Sequence, residues 1–312
     1  MVQVRRIIHL LGFGCAILLG AEIAARLDDW IRHDVPLLAA PSRERDLVVA
    51  ESWGFRGRPY GHFRKWKLDA SGFRVVPSAD FGSDQPRLLI LGASETFGLY
   101  ESPEKEYPAQ LACRLRAKEP CQVINASMAG ITLKSLVVYW DHWVQGFHPG
   151  YVMLYPSPQF YLDSEPPTLP TNSPREDTQH SPLVFRPRLF DRVQDLYHRL
   201  PAWVKVYREE WTIRRETAGK DADWFFTQVP EDRLKLFEDD LRLLIAKVRR
   251  SGAELILLTH AMSATSPPRP EDETYIRRMR MYCPRATPET IVAFEQRANA
   301  ILRAVAKKEH LV

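Results

Sequence analysis

The chain has 312 residues, 45% of them hydrophobic, and a net charge of +4. That is ample for one globular domain with a sizeable core plus appendages. So small a charge decides nothing about nucleic acid. No basic, aromatic-interleaved patch marks a nucleic-acid site, and the four cysteines match no zinc pattern.

Residues 1–27 stand apart. Arg5 and Arg6 precede a mostly apolar run from Ile7 to Ala21, which ends near Glu22 and Arg26. This reads as a signal sequence or an uncleaved signal anchor. Glu22 interrupts any small-x-small cleavage site, which favours an anchor, one transmembrane helix with the arginines inside and the body exported. Cys15 follows GFG, a poor lipobox, and reads as an apolar residue of the span. Residues 28–85 form a linker containing WGFRGRPYGHF and LDASGFR, expected as short extended strands and turns packed on the edge of the main domain. Arg56, His62 and Arg74 within it read as solvated polar residues.

The stretch Pro86–Gly98, PRLLILGASETFG, organises the rest of the chain. Leu88–Leu91 is an apolar run too short for a helix and suited to a fully buried strand. Gly92 ends it, and Ser94 sits at the turn into a helix. A serine there has its hydroxyl at the mouth of the sheet, beside backbone N–H groups that no carbonyl satisfies. Those groups can stabilise an oxyanion, which acyl transfer needs next to a nucleophile. The bland alternative is that Ser94 only caps the helix.

Beyond it, Tyr107, Leu111 and Leu115 mark a short amphipathic helix, Gln122–Asn125 a second strand, Leu133 to Val144 a helix and Tyr151–Tyr155 a third strand. Leu234 to Val248 marks another helix stopped by Gly252, Glu254–His260 a fourth strand, and Ile291 to Val305 the last helix. Strands alternating with amphipathic helices predict a parallel sheet covered on both faces, with ligand sites at the carboxyl ends of the strands. Ser94, Gly130 and Gln159 all fall just past strand ends and face one rim. Residues 163–230 break the alternation as a proline-rich insert with two expected helices, Asp191–Leu200 and Trp203–Thr217. The insert suits a lid, a membrane or protein contact, or a plain helical insertion. In an exported domain, Cys113 and Cys121 are expected to form a local disulfide, which leaves Cys283 alone.

GASETFG resembles the first block of the SGNH/GDSL hydrolases, which carries the nucleophile. INASMAG, ending at Gly130, is similar to the second block, whose glycine supplies an oxyanion N–H. HPGYVMLYPSPQFYL is similar to the third, a buried strand followed by G-x-N-D. The resemblance runs from about Leu68 to the end of the chain, and LDASGFR resembles the N-x-x-G-F-R stretch that often precedes the first block in membrane-anchored bacterial members. It implies a flavodoxin-like three-layer α/β/α sandwich over residues 86–312. It also implies a serine esterase or acyl hydrolase that needs no cofactor or metal, with Ser94 as nucleophile and Ser94, Gly130 and Gln159 around the oxyanion. The partners implied are a small-molecule, glycan or lipid ester and, through the first helix, the bacterial inner membrane, with the body in the periplasm. Ala93 replaces the family's aspartate, and Gln159 its asparagine; Gln159 is either a displaced donor or a polar loop residue. No D-x-x-H follows the insert, where only His260 and His310 occur. Leu311 and Val312 look like the first steps of a fifth strand, so the expectation is a chain that stops short of its catalytic dyad and is nearly inactive. The other function class is a non-catalytic SGNH-like protein that binds acylated glycan.

Overall fold

Helix α1 (Val2–His33) opens the chain, and its His9–His33 segment is long and apolar enough to cross a membrane, as a span or a signal sequence. Leu10, Phe13, Leu18 and Leu19 are exposed along it. The computed structural model describes residues 2–33, 35–38, 47–77, 85–116, 118, 121–162, 187–189, 192, 200–265 and 267–312.

Two antiparallel hairpins come next, β1 (Val48–Glu51) with β2 (Gly54–Gly57) and β3 (His62–Phe63) with β4 (Trp66–Lys67). Their glycines are placed by contact. A Cβ on Gly57 would lie 1.8 Å from the Gly72 carbonyl oxygen, and Gly72 itself has φ +82°, a region open chiefly to glycine. Phe73 then stacks on Trp143, ring centroids 4.5 Å apart, and the Arg74 amide donates to the Asn125 carbonyl. The hairpin segment is thereby stitched to an edge of the main sheet.

That sheet is built in chain order from β5 (Arg87–Gly92), α2 (Ser94–Phe97), α3 (Tyr107–Arg116), β6 (Gln122–Asn125), α4 (Leu133–His142) and β7 (Tyr151–Tyr155). It continues with α5 (Ala202–Thr217), α6 (Glu231–Arg250), β8 (Glu254–Leu257), α7 (Glu273–Tyr282) and α8 (Pro288–Lys308). The strands are all parallel in the order β6-β5-β7-β8, with Leu89 opposite Ile124 on one side and Val152 on the other. Successive side chains of a strand point to opposite faces. Leu89 and Leu91 therefore pack with α4, α6 and α8 residues such as Trp140, Phe237 and Phe294, while Leu88 and Ile90 pack with Ala112 of α3. Covering on both faces explains why β5 reads as an unbroken apolar run rather than an alternation. The first strand lies inside the sheet and its successors fall on either side. The carboxyl end of β5 is thus a topological switch point, where open α/β sheets place ligands.

Three readings change. The fourth strand ends at Leu257 instead of His260: the Leu258 amide still donates to the Leu154 carbonyl of β7, but the His260 amide turns away to Asn299 Oδ1, and the Leu257 amide donates to the Val312 carbonyl at this edge. Arg74 is buried rather than solvated, since its chain segment is pinned under the sheet edge beside Glu106. No disulfide joins Cys113 and Cys121: Cys113 lies on the exposed side of α3, while Cys121 packs against the core with Leu111 and Leu115. Of the two insert helices, α5 is present. Asp191–Leu200 lies largely outside the described residues.

Candidate active site

Ser94 is the first residue of α2, half-buried at the carboxyl end of β5. The turn from strand to helix is tight. A Cβ on Gly92 would meet Thr96 Oγ1 at 2.1 Å and the Tyr155 carbonyl oxygen at 2.9 Å. Only glycine lets the helix fold back so closely on the strand. The Ser94 amide belongs to a first turn, whose N–H groups find no carbonyl within their own helix. The Ala93 side chain makes no capping bond.

The helix is held from behind. Tyr107 donates its hydroxyl to Thr96 Oγ1 at 3.1 Å, and Asn125 Nδ2 donates to the Thr96 carbonyl at 3.0 Å. Burial and the Glu95 and Tyr155 charges raise the Tyr107 phenol, against the Thr96 bond, so it stays protonated as that donor. Arg74 lies over the Phe97 ring at 5.5 Å, with Glu106 3.8 Å from its Nε.

The loop after β6 is hung on β5. Met128 N donates to the Gly92 carbonyl, Ser127 Oγ to the Ile90 carbonyl, and Asn125 Oδ1 accepts from Ser127 N. These bonds bring the loop that carries Gly130 to the β5 end. Gly130 is exposed there with φ +78° and nothing within 4 Å of where a Cβ would stand.

The loop after β7 closes the other side. Ser157 Oγ donates to Glu95 Oε2 at 3.4 Å, and Ser94 Oγ donates to the same oxygen at 3.2 Å. One carboxylate oxygen thus gathers a hydroxyl from each loop. Gln159, two residues on, is buried, and its carbonyl accepts from Cys283 Sγ at 3.2 Å. Its side-chain Oε1 is buried without a partner. The open valence at Gln159 is therefore an acceptor as placed; a half-turn of the amide would present Nε2 there instead.

Sequence reading did not pair His260 with Glu295. His260 Nδ1 lies 3.0 Å from Glu295 Oε2 at the β8 rim, with 6% and 0% of the two residues exposed. Asn299, one turn after Glu295 on α8, accepts from the His260 amide at 2.8 Å and donates to its carbonyl at 2.9 Å. His260 Nε2 is buried and has no hydrogen-bond partner. Burial pulls the imidazole pKa down, but the Glu295 hydrogen bond and the Glu295 and Glu95 charges outweigh it, and the value lies above the usual one. The sequence does carry a signal: Glu295 and Asn299 stand four apart on the otherwise apolar face of Ile291, Phe294, Ala298 and Leu302.

Ser94 follows β5 and His260 follows β8, and β7 lies between those two strands. Neighbouring strands lie about 4.8 Å apart, so the two strand ends are about 10 Å apart. Tyr155, the last residue of β7, has its ring 5.3 Å from that of His260 and its hydroxyl bonded to the Ala261 amide. The Ser94 hydroxyl thus engages Glu95, with the imidazole–carboxylate couple further along the same rim.

No protein-family model and no curated protein matches the chain. Among solved structures, it is similar to a putative lipolytic protein of the G-D-S-L family from Desulfitobacterium hafniense DCB-2, at 12% identity and TM-score 0.38, covering 73% of this chain and 75% of the other. It is also similar to the psychrotrophic esterase EstA from Pseudoalteromonas sp., at 11% identity and TM-score 0.37, with 72% and 73% covered. A catalytic variant of Axe2, an acetylxylan esterase from Geobacillus stearothermophilus, gives 13% identity, TM-score 0.38, and 75% and 76% covered.

Proposed function

We propose that this chain is an exported, membrane-anchored serine acyl hydrolase, with residues 86–312 as its catalytic domain and Ser94 as its nucleophile. The observation that carries the proposal is the elbow at the end of β5. A half-buried serine hydroxyl stands there at the switch point of the sheet, on a turn that Gly92 alone permits. In the reaction, Ser94 Oγ attacks the ester carbonyl and passes its proton to the Glu95 carboxylate it is bonded to, and the bond to the alcohol breaks as the alcohol takes that proton. Water then attacks the acyl-serine, releases the acid and restores the hydroxyl. The Ser94 and Gly130 amides receive the oxyanion, and Gln159 adds a third donor once its amide is turned. Loss of one such donor costs about a hundred- to a thousand-fold in turnover. The substrate class is a small ester or the acyl group of an envelope glycan or lipid, which an anchored, exported enzyme would meet.

A second reading has one observation in its favour. The Ser94 hydroxyl is bonded to the Glu95 carboxylate rather than to an imidazole, and a carboxylate is a weak base toward a hydroxyl. On that reading the same rim holds an acylated glycan without cleaving it. A fluorophosphonate probe separates the two, because it labels a serine only where the oxyanion donors and a base serve it. The expected result is slow labelling of Ser94 in the 312-residue chain, abolished together with ester hydrolysis in Ser94→Ala. Labelling of a different residue, or hydrolysis undiminished in Ser94→Ala, overturns the enzymatic reading. Tight binding of acetylated glycan by a chain that never labels supports the binder.

A further inference from the structure

Helix α5 has two unlike sides. Its inner side carries the buried Ile213 and Glu209, and Glu209 accepts from Arg277 Nε of α7 at 2.9 Å with Arg278 Nε at 3.7 Å. Its outer side carries Trp203, Tyr207 and Trp211, four residues apart and 73%, 68% and 51% exposed. At 100° per residue these three fall on one arc with Arg208, Arg214 and Arg215. The Arg215 guanidinium lies over the Trp211 ring at 5.1 Å. Three exposed aromatic side chains in one stripe, with a cation over the Trp211 ring, are costly in water and mark an interaction surface. Rings of this kind, with one apolar and one polar end, favour the membrane–water boundary, and guanidinium groups beside them bind phosphate esters.

The position of the insert says what covers the stripe. The apolar run Ile7–Ala21 of α1 is about 22 Å long at 1.5 Å per residue, shorter than a hydrocarbon layer of about 30 Å. On the reading of Ile7–Ala21 as the membrane-buried part of α1, Glu22, the first charged residue after it, stands at headgroup level. It is there that the insert takes hold: Glu22 Oε2 accepts from the Leu189 amide at 2.9 Å, and Asp29 Oδ2 accepts from Arg188 Nη1 at 2.9 Å. Arg192 pairs with Asp28 and Asp29 one turn further on. Arg188, Leu189 and Arg192, which precede α5 in the chain, are therefore fastened to the foot of α1.

We infer that α5 lies on an anionic lipid surface, its Trp203, Tyr207 and Trp211 stripe at the headgroup boundary and its arginines on lipid phosphates. This rests on the reading of α1 as a membrane span. A second contact besides α1 fixes how the body is turned on the membrane, and so where the Ser94 rim faces.

The test uses the full 312-residue chain with Cys15 and Cys113 changed to serine. An environment-sensitive fluorophore is placed by Tyr207→Cys or, as control, by Lys235→Cys on the solvent side of α6. Each is reconstituted into vesicles of phosphatidylcholine alone or of equimolar phosphatidylcholine and phosphatidylglycerol. In the anionic vesicles, iodide quenching of the label at 207 should fall about three-fold or more and its emission shift to the blue, as for a residue buried at the interface. The change should be smaller in phosphatidylcholine and absent at 235. A chain that floats with vesicles while position 207 stays as open as 235 overturns the α5 contact alone and leaves the stripe to a protein partner. Equal protection in both lipids overturns the part assigned to the arginines. A chain that does not float with vesicles overturns the membrane span, and the α5 contact with it.

Discussion

Glu95 and Glu295 divide the rim between them, one holding the Ser94 and Ser157 hydroxyls and the other holding the His260 imidazole. The second arrangement has a pH signature. The folded-state pKa of His260 lies above its ordinary value, so the charged pair stabilises the fold fully below about pH 6.5. That stabilisation is lost as pH rises through the raised value. The difference in unfolding free energy between the wild-type chain and His260→Gln should shrink on going from pH 6 to pH 9 in urea titrations. A difference that does not change over that interval would show a neutral imidazole. Legibility in the sequence follows the same division. Ser94 and Gly92 lie two residues apart within one strand–turn–helix, so local spacing reveals them. His260 and Glu295 lie 35 residues apart and meet only because α8 packs behind β8. A search for D-x-x-H passes over them.

At the scale of elements, α2 has four residues and cannot hold itself; isolated helices need some three to four turns. It depends on what backs it, and that gives two measurable consequences. Gly92→Ala pushes a methyl into the Thr96 side chain and the Tyr155 backbone, which cannot both give way. The expected loss is about 1–3 kcal/mol by urea unfolding, with Ser94 labelling reduced further than stability alone accounts for. Arg74→Ala leaves Glu106 buried without its cation, a loss of about 3–5 kcal/mol; Arg74→Met combined with Glu106→Gln should restore much of it. Loss no greater than about 0.5 kcal/mol in Arg74→Ala would mean the side chain is solvated after all. The strands of the sheet were legible because a buried parallel strand is a short apolar block. The end of β8 was not, since what draws the chain off the ladder is the Asn299 side chain, 39 residues on, which takes both the amide and the carbonyl of His260. Arg74 was unreadable for another reason: nothing local tells a solvated arginine from one pinned beneath an edge strand by Asn125.

For the molecule as a whole, α1 and the body are one structure where sequence divides them at residue 27. Glu22 and Ala25 of α1 are buried, and Arg26 donates to Glu22 at 2.7 Å and to the Leu37 carbonyl at 2.6 Å. The last third of α1 is thus part of the insert's foundation, and where the chain is cut decides the outcome. With a cleavable export signal supplied, deletion of residues 1–20 removes most of the apolar run and leaves the Glu22 and Asp29 contacts. That protein should enter the soluble periplasmic fraction after a high-salt wash, which weakens arginine–phosphate contacts, and should keep its insert resistant to protease. Deletion of residues 1–27 should release the body equally but expose the insert to cleavage, because the Leu189 amide loses its carboxylate and Ala25 no longer fills its place. Equal protease resistance in the two truncations would mean that the foot of α1 contributes nothing to the insert. Recovery of the undeleted chain in the soluble fraction would remove the anchor itself.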